Sequence, residues 1–154
     1  MRSKKSTEPF NRRPWITACP SGLRWCMKQR EIAAELRAVV GDKHLIFGDA
    51  EQLRSYSHDE VAGLEYARMP EAVVKPSSSR EVSEILKIAN RHRVPVTPRG
   101  GGTGLSGGAV PVYGGIVLSL ERMNRILEID RENMVAVVEP GVVTSEIGRA
   151  VQEF

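Results

Sequence analysis

Six of the eleven residues from Pro98 to Gly108 are glycine, in the string Pro-Arg-Gly-Gly-Gly-Thr-Gly-Leu-Ser-Gly-Gly. Glycine loses more conformational freedom on folding than any other residue, so an ordered domain keeps such a run where the backbone itself must come close to something. Successive N–H groups unhindered by side chains can curl into a nest for an anion, and a diphosphate offers the acceptor oxygens that such a nest needs. The alternative is a flexible loop or tight turn with no ligand. What stands on either side of the loop decides between them.

Upstream, Ala72 to Lys75 reads as a short β-branched strand ended by Pro76. Ser78, with Glu81 three residues on, is a capping box that opens a helix over Ser79 to Asn90, whose apolar stripe is Val82, Ile85, Leu86 and Ala89. Val94, Pro95 and Val96 make a second strand, so strand, helix and strand follow in the order of a βαβ unit with parallel strands and a right-handed crossover. Downstream, Gly115 to Leu120 is a continuous apolar strand. Ile126 to Ile129 and Met134 to Val138 flank Asp130-Arg131-Glu132-Asn133, a four-residue hairpin turn. Both faces of Met134 to Val138 are apolar, which predicts a strand buried on both sides. Ile147, Ala150, Val151 and Phe154 keep helical spacing, predicting a helix over Thr144 to Phe154.

The glycine string also satisfies G-x-G-x-x-G from Gly102 to Gly107, with Glu121 about twenty residues on, as a nicotinamide-binding Rossmann unit would. In that fold a helix opens at the third glycine and its N-terminus holds the pyrophosphate. Here Gly107 leads to Gly-Ala-Val-Pro-Val-Tyr-Gly-Gly, which holds no helix. A P-loop fails as well, because no Lys-Ser or Lys-Thr follows the glycines at the required spacing. Any phosphates must be held by loop amides alone.

Nearer the start, Ile32, Ala33, Leu36, Val39 and Val40 recur at spacings of three and four from Lys28 onward, an amphipathic helix stopped by Gly41. Asp42 to Met69 is polar and mixed, with no element assigned. His58, Asp59 and Glu60 within it suggest a metal site, but sequence neighbours rarely converge on one ion and no second histidine is near. No metal ligand is assigned.

The net charge of +3 is unevenly spread. Residues 1–30 hold eight basic residues against Glu8, a local +7 that leaves −4 on the remaining 124 residues. A phosphate-tracking groove needs basic side chains on a folded face, and these lie in a leader without periodicity, which excludes nucleic acid as a partner. Residues 1–26, with three prolines, read as a disordered basic leader. A secretory signal needs an apolar core of about 7 to 15 residues that Trp15 to Cys19 cannot supply. Upstream sequence read into the frame is the simpler account, since Met27 opens directly into a good helix. Two cysteines, Cys19 and Cys26, cannot staple a secreted scaffold and match no usual zinc spacing. No apolar run approaches the roughly 18 to 20 residues of a membrane span. A reducing compartment follows, cytoplasmic or peripheral to a membrane.

Residues 70–154 resemble the FAD-binding domain of the p-cresol methylhydroxylase and vanillyl-alcohol oxidase superfamily, in the branch that holds glycolate oxidase and the D-lactate dehydrogenases. The loop Pro98 to Gly108, the strand Gly115 to Leu120 running on through Glu121, Arg122, Met123 and Asn124, and the segment Val137 to Val142 carry the resemblance. It implies an α/β (α+β) fold in which a small βαβ sheet flanked by helices forms the first subdomain. It also implies FAD as cofactor. Pro98, Arg99, Gly100, Gly101, Gly102, Thr103, Gly104, Leu105, Pro140, Gly141 and Val142 would be the cofactor-binding residues: the backbone of Gly100 to Gly104 would wrap the pyrophosphate, with Leu105 at the far end and Pro140, Gly141 and Val142 near the adenosine. Thr103 can add a hydroxyl hydrogen bond, and Pro98 presets the backbone leading into the loop. Some relatives attach FAD through a histidine where Thr103 stands. Threonine cannot make that bond, so the flavin is expected to be non-covalent. In a chain completed by its C-terminal part, an aspartate in place of Gly102 is expected to abolish flavin retention, because its carboxylate would face the diphosphate and block the backbone approach.

Complete members of that family carry a second FAD subdomain and a cap domain with the substrate pocket. The expected organisation is therefore a leader (1–26), a helix with its connecting segment (27–69), and an FAD domain (70–154) incomplete at its C-terminus. The leading expectation is the FAD-binding portion of an oxidoreductase acting on glycolate, D-lactate or another 2-hydroxy acid, truncated or split, with the missing C-terminal polypeptide and redox subunits as partners. Alone it would be poorly soluble or self-associating, bind FAD weakly if at all, and turn nothing over. No catalytic residue is assigned; His44, His58 and His92 read as surface or helix-end histidines. A non-catalytic flavin or nucleotide module, or an inactive fragment, stays open.

Overall fold

Val73 and Val117 are fully buried and face each other across a parallel pair at the centre of a four-stranded sheet. The computed structural model describes residues 22–61 and 67–152. The sheet strands are β1 (Leu45–Phe47), β2 (Ala72–Val74), β3 (Val96–Arg99) and β4 (Ile116–Ser119), in the order β1-β2-β4-β3. Strands β2 and β3 each run parallel to β4, and β1 is antiparallel to β2. The expected unit of strand, helix and strand is present with parallel strands, but its second strand is Val96–Arg99 rather than Val94 to Val96, taking in Pro98 and Arg99 of the expected loop, and β4 lies between the two. Its six-residue apolar run from Gly115 to Leu120 suits this central place, where both faces are covered.

The faces divide with period two. Ala72, Val74, Ile116 and Leu118 turn to one side and pack with Leu36 and Val40 of α1 (Gly22–Val40) and Ile85, Ile88 and Ala89 of α3 (Ser79–His92). Val73 and Val117 turn to the other, where Leu53 of α2 (Ala50–Arg54) joins them, with Ile46 and Tyr56 alongside. Helices α1 and α3 thus form one layer, and α2 with the segment after it covers the opposite face. Truncating Ile85, which has no exposed surface, should cost about 2 to 5 kcal/mol.

Sequence signals at the helix ends hold with adjustments. Helix α1 stops at Val40 before Gly41, as expected, but begins at Gly22 rather than at Lys28, so it takes in residues 22–26 of the expected leader. The rest of that leader, residues 1–21, lies outside the described residues. Ser78 Oγ accepts from Glu81 N–H at 3.3 Å, yet the Glu81 carboxylate reaches back one residue further than a capping box requires, to Ser77 N–H at 2.7 Å and Ser77 Oγ at 3.0 Å. His92 closes α3, a helix-end histidine as read, bonded to Glu35 of α1 at 2.9 Å.

Strands β5 (Ile126–Asp130) and β6 (Val135–Val138) form a separate antiparallel pair. The turn is residues 131–134 rather than 130–133, because the Asp130 carboxylate accepts from Asn133 N–H (3.0 Å) and Nδ2 (2.7 Å), while Met134 takes a left-handed φ of 56°. The expectation that Met134 to Val138 is buried on both sides fails: Met134, Val135 and Val137 are exposed, and only Ala136 and Val138 are half-buried. Helix α4 is Thr144–Ala150, shorter than the expected Thr144 to Phe154, with residues 153–154 outside the description. Strand β1 and helix α2 arise in the Asp42 to Met69 stretch where no element was expected.

Candidate functional site

Strands β2, β4 and β3 all end at one edge of the sheet, and the glycine loop leaves from that edge. It runs from β3 to β4 without a helix, as the rejection of a Rossmann unit requires. The period-two rule sends Thr97 and Arg99 to the α2 face, and there Arg99 does not reach outward. Its guanidinium lies under Gly102, donating from Nη1 to the His58 carbonyl at 2.6 Å and from Nη2 to the Ser55 carbonyl at 3.5 Å, with the Tyr56 ring centroid 5.6 Å away. Gly102 is buried with a φ of +75°, and a Cβ there would run into that guanidinium. Only glycine satisfies both the backbone angle and the close approach.

From Gly102 the loop turns outward. Gly104 gives its carbonyl to Glu60 N–H at 3.1 Å, and Leu105 stands 75% exposed. Among the described residues, the N–H groups of Gly101 to Leu105 donate to no acceptor. A cradle of free amides, held from behind by Arg99, fits an anionic group such as a diphosphate.

The second expected segment lies against the first. A Cβ on Gly100 would sit 3.5 Å from the Pro140 carbonyl oxygen, so the head of the loop and the Pro140–Gly141–Val142 turn are neighbours. Gly141 N–H donates to the Met123 carbonyl at 2.8 Å, and a side chain at Gly141 would drive into the Leu120 carbonyl. Glu139, buried, fixes this turn: its carboxylate accepts from Arg125 N–H at 2.9 Å and Nη2 at 2.8 Å, which holds its carboxyl below the ordinary glutamate value. Thr103 is exposed and Val142 half-buried.

A charged cluster at the same edge was not legible beforehand. Lys75, just after β2, Ser119, the last residue of β4, and Glu121, two residues on, share the α2 face around Tyr56. Lys75 Nζ pairs with Glu121 Oε1 at 2.7 Å and lies 5.4 Å from the Tyr56 ring centroid. Glu121 Oε2 accepts from Ser119 Oγ at 2.9 Å and Tyr56 Oη at 3.2 Å. Tyr56 thus lies beside both Lys75 and Arg99, and residues 55–60 form the floor of the glycine loop. Strand parity could have placed Lys75, Arg99 and Glu121 on one face; nothing local announces Tyr56 as their partner. His58, Asp59 and Glu60 belong to that floor, and among the described residues no three potential ligands gather as a metal site would need.

Residues 70–154 match a family model described as an FAD binding domain. The chain is 44% identical over 126 residues to the glycolate oxidase protein GlcD of Bacillus subtilis (strain 168), covering 82% of this chain and 26% of that protein. It is 52% identical over 98 residues to a D-lactate dehydrogenase of Archaeoglobus fulgidus, covering 62% and 22%. Among solved structures, p-cresol methylhydroxylase with substrate bound superposes with a TM-score of 0.72 at 31% identity, over 80% of this chain and 24% of that one. The chain spans about a quarter of the length of the curated relatives it matches.

Proposed function

The chain belongs to the FAD binding domain family, and from that premise we propose that its glycine loop holds the diphosphate of FAD. The backbone from Gly100 to Gly104 wraps the phosphates, Thr103 adds its hydroxyl, and Leu105 closes the far end. Pro98 sets the chain direction, and Arg99 braces the loop from behind. Pro140, Gly141 and Val142 lie toward the adenosine. The observation that carries this reading is the run of unpaired loop amides backed by Arg99 at Gly102. Thr103 offers no nitrogen to the flavin, which supports a non-covalent cofactor.

The wider reading is the cofactor-binding portion of an oxidoreductase acting on a 2-hydroxy acid such as glycolate or D-lactate, supported by the names of its relatives. A bound flavin would accept the hydride equivalent from the hydroxyl-bearing carbon and pass electrons on. This chain's residues bind and orient that group. The substrate pocket and the redox subunits that take the electrons are assigned to further polypeptide. Among the described residues no helix is long and apolar enough to cross a membrane, and a cytoplasmic place, free or peripheral to a membrane, is the proposed location.

Titration of FAD with the chain, followed by flavin fluorescence, tests the cradle. Saturable quenching is expected, and acid precipitation should leave the flavin in the supernatant. Unquenched fluorescence would remove the reading; flavin trapped in the precipitate would remove its non-covalent part. Turnover of glycolate or D-lactate with an artificial acceptor is expected only once the rest of a relative-length protein is supplied.

A further inference from the structure

One buried polar atom in the floor of the loop has no partner. Asp59 is 5% exposed, and its Oδ1 accepts from Val61 N–H at 3.0 Å. Among the described residues its Oδ2 makes no hydrogen bond and is closed off from solvent. Leaving a buried carboxylate oxygen unsatisfied is costly, so such an atom calls for an explanation. The loop glycine beside it is Gly104: a Cβ there would stand 3.8 Å from Oδ2. The next residue, Glu60, already holds the Gly104 carbonyl. The Gly104 N–H has no acceptor among the described residues.

Direct contact between this carboxylate and a diphosphate is excluded by charge, since two anions at such range repel. Direct contact with any ligand is hindered too, because Oδ2 lies beneath the loop. A loop N–H turned inward meets neither objection. We propose that Asp59 is a positioning residue of the cradle, whose Oδ2 accepts the Gly104 N–H in the FAD-bound loop. That bond, with the one from Glu60 N–H to the Gly104 carbonyl, would fix Gly104 at both of its polar groups and leave the N–H groups before it to face the phosphates. The inference rests on the reading of the loop as an FAD cradle.

The test uses the chain with FAD as the probe. Asp59→Asn keeps the shape but leaves one acceptor oxygen where there were two, so it can serve Val61 or Gly104, not both. FAD affinity should fall about tenfold, the scale of one charge-assisted hydrogen bond. The thermal midpoint without FAD should stay or rise, because a buried unpaired charge is removed. A purely structural role predicts the reverse pattern, a lowered midpoint with affinity preserved in the folded fraction. Amide exchange at Gly104 in the unaltered chain gives a readout that needs no variant: FAD should slow it, and in Asp59→Asn it should not. If the unaltered chain binds FAD and Asp59→Asn binds it equally well, or if exchange at Gly104 is unmoved by FAD, the proposal for Asp59 fails alone. If the unaltered chain binds no FAD, the cradle reading fails and this proposal with it.

Discussion

The guanidinium of Arg99 donates to the main-chain carbonyl of His58 at 2.6 Å, tying the head of the glycine loop to a segment 41 residues earlier. A charged donor to a buried-side carbonyl contributes more than a neutral one, and the same group also backs Gly102. Replacing Arg99 by alanine should lower stability by about 1 to 3 kcal/mol and weaken FAD binding, although Arg99 touches no phosphate in this arrangement. Denaturant unfolding and flavin titration, run in parallel, check both. Lost affinity at unchanged stability would instead place Arg99 on the ligand.

Gly102 separates two causes of the same defect. The expectation for an added carboxylate joins its charge toward the diphosphate with a blocked backbone approach, but a side chain there points at Arg99. Gly102→Ala should therefore impair FAD binding about as badly as Gly102→Asp, with a stability loss of about 1 to 3 kcal/mol from the left-handed backbone and the displaced guanidinium. Flavin titration of both variants decides. Normal binding by the alanine variant beside failure of the aspartate would restore the charge explanation.

Acid should weaken the charged cluster. Burial works against ionised Glu121, but the bonds from Lys75, Ser119 and Tyr56 outweigh it and hold its carboxyl below the ordinary glutamate value. Burial also opposes the charge on Lys75, and its contacts with Glu121 and Tyr56 leave its ammonium above the ordinary lysine value. A depressed carboxyl stabilises the fold above its unfolded pKa, and that contribution goes as pH falls through the folded one; the raised lysine contributes below its unfolded pKa and loses that only in strong base. The stability gap between the unaltered chain and Glu121→Gln should be under about 1 kcal/mol near neutrality, because the pair is partly exposed, and should close as pH falls toward about 3. Unfolding midpoints at several pH values measure it; a gap that does not change with pH would mean that the charge on Glu121 contributes nothing.

The hairpin presents apolar side chains to solvent. Met134 in the turn is 90% exposed, and Leu127, Val135 and Val137 along the two strands are exposed as well. Exposed apolar side chains promote association, so the chain should self-associate as its concentration rises. Val135→Thr with Val137→Thr keeps the β-branched shape and should shift the chain toward monomer at a cost below about 0.5 kcal/mol. Size-exclusion chromatography over a range of loading concentrations reads this out, and a chain that elutes as a monomer throughout would count against it.

Signals carried by neighbouring residues were legible. Ser78 and Glu81 mark the start of α3, Gly41 the end of α1, and the glycines of 100–108 a loop that must approach something, because each depends on backbone angles and hydrogen bonds within a few residues. The apolar run Ile116 to Leu118 within 115–120 likewise marked a buried strand. Strand β1 was missed: Leu45–Phe47 is only three residues, all half-buried, and shows no alternation to read. Helix α2, five residues long with a single buried side chain, is too short for a period.

Spacing and residue type thus determined by themselves that a glycine-dense loop lies between two strands, and that no Rossmann helix follows it. Tertiary structure alone decided that β4 enters between β2 and β3, that Pro140 reaches Gly100, and that Ser55 to Glu60 lies beneath the loop, with Arg99 over the Tyr56 ring and Asp59 beside Gly104. Those pairings join residues tens of positions apart. Their free energy comes from burial and hydrogen bonding between surfaces that do not exist until the chain has folded, and no local pattern of residues encodes which distant partner will supply them.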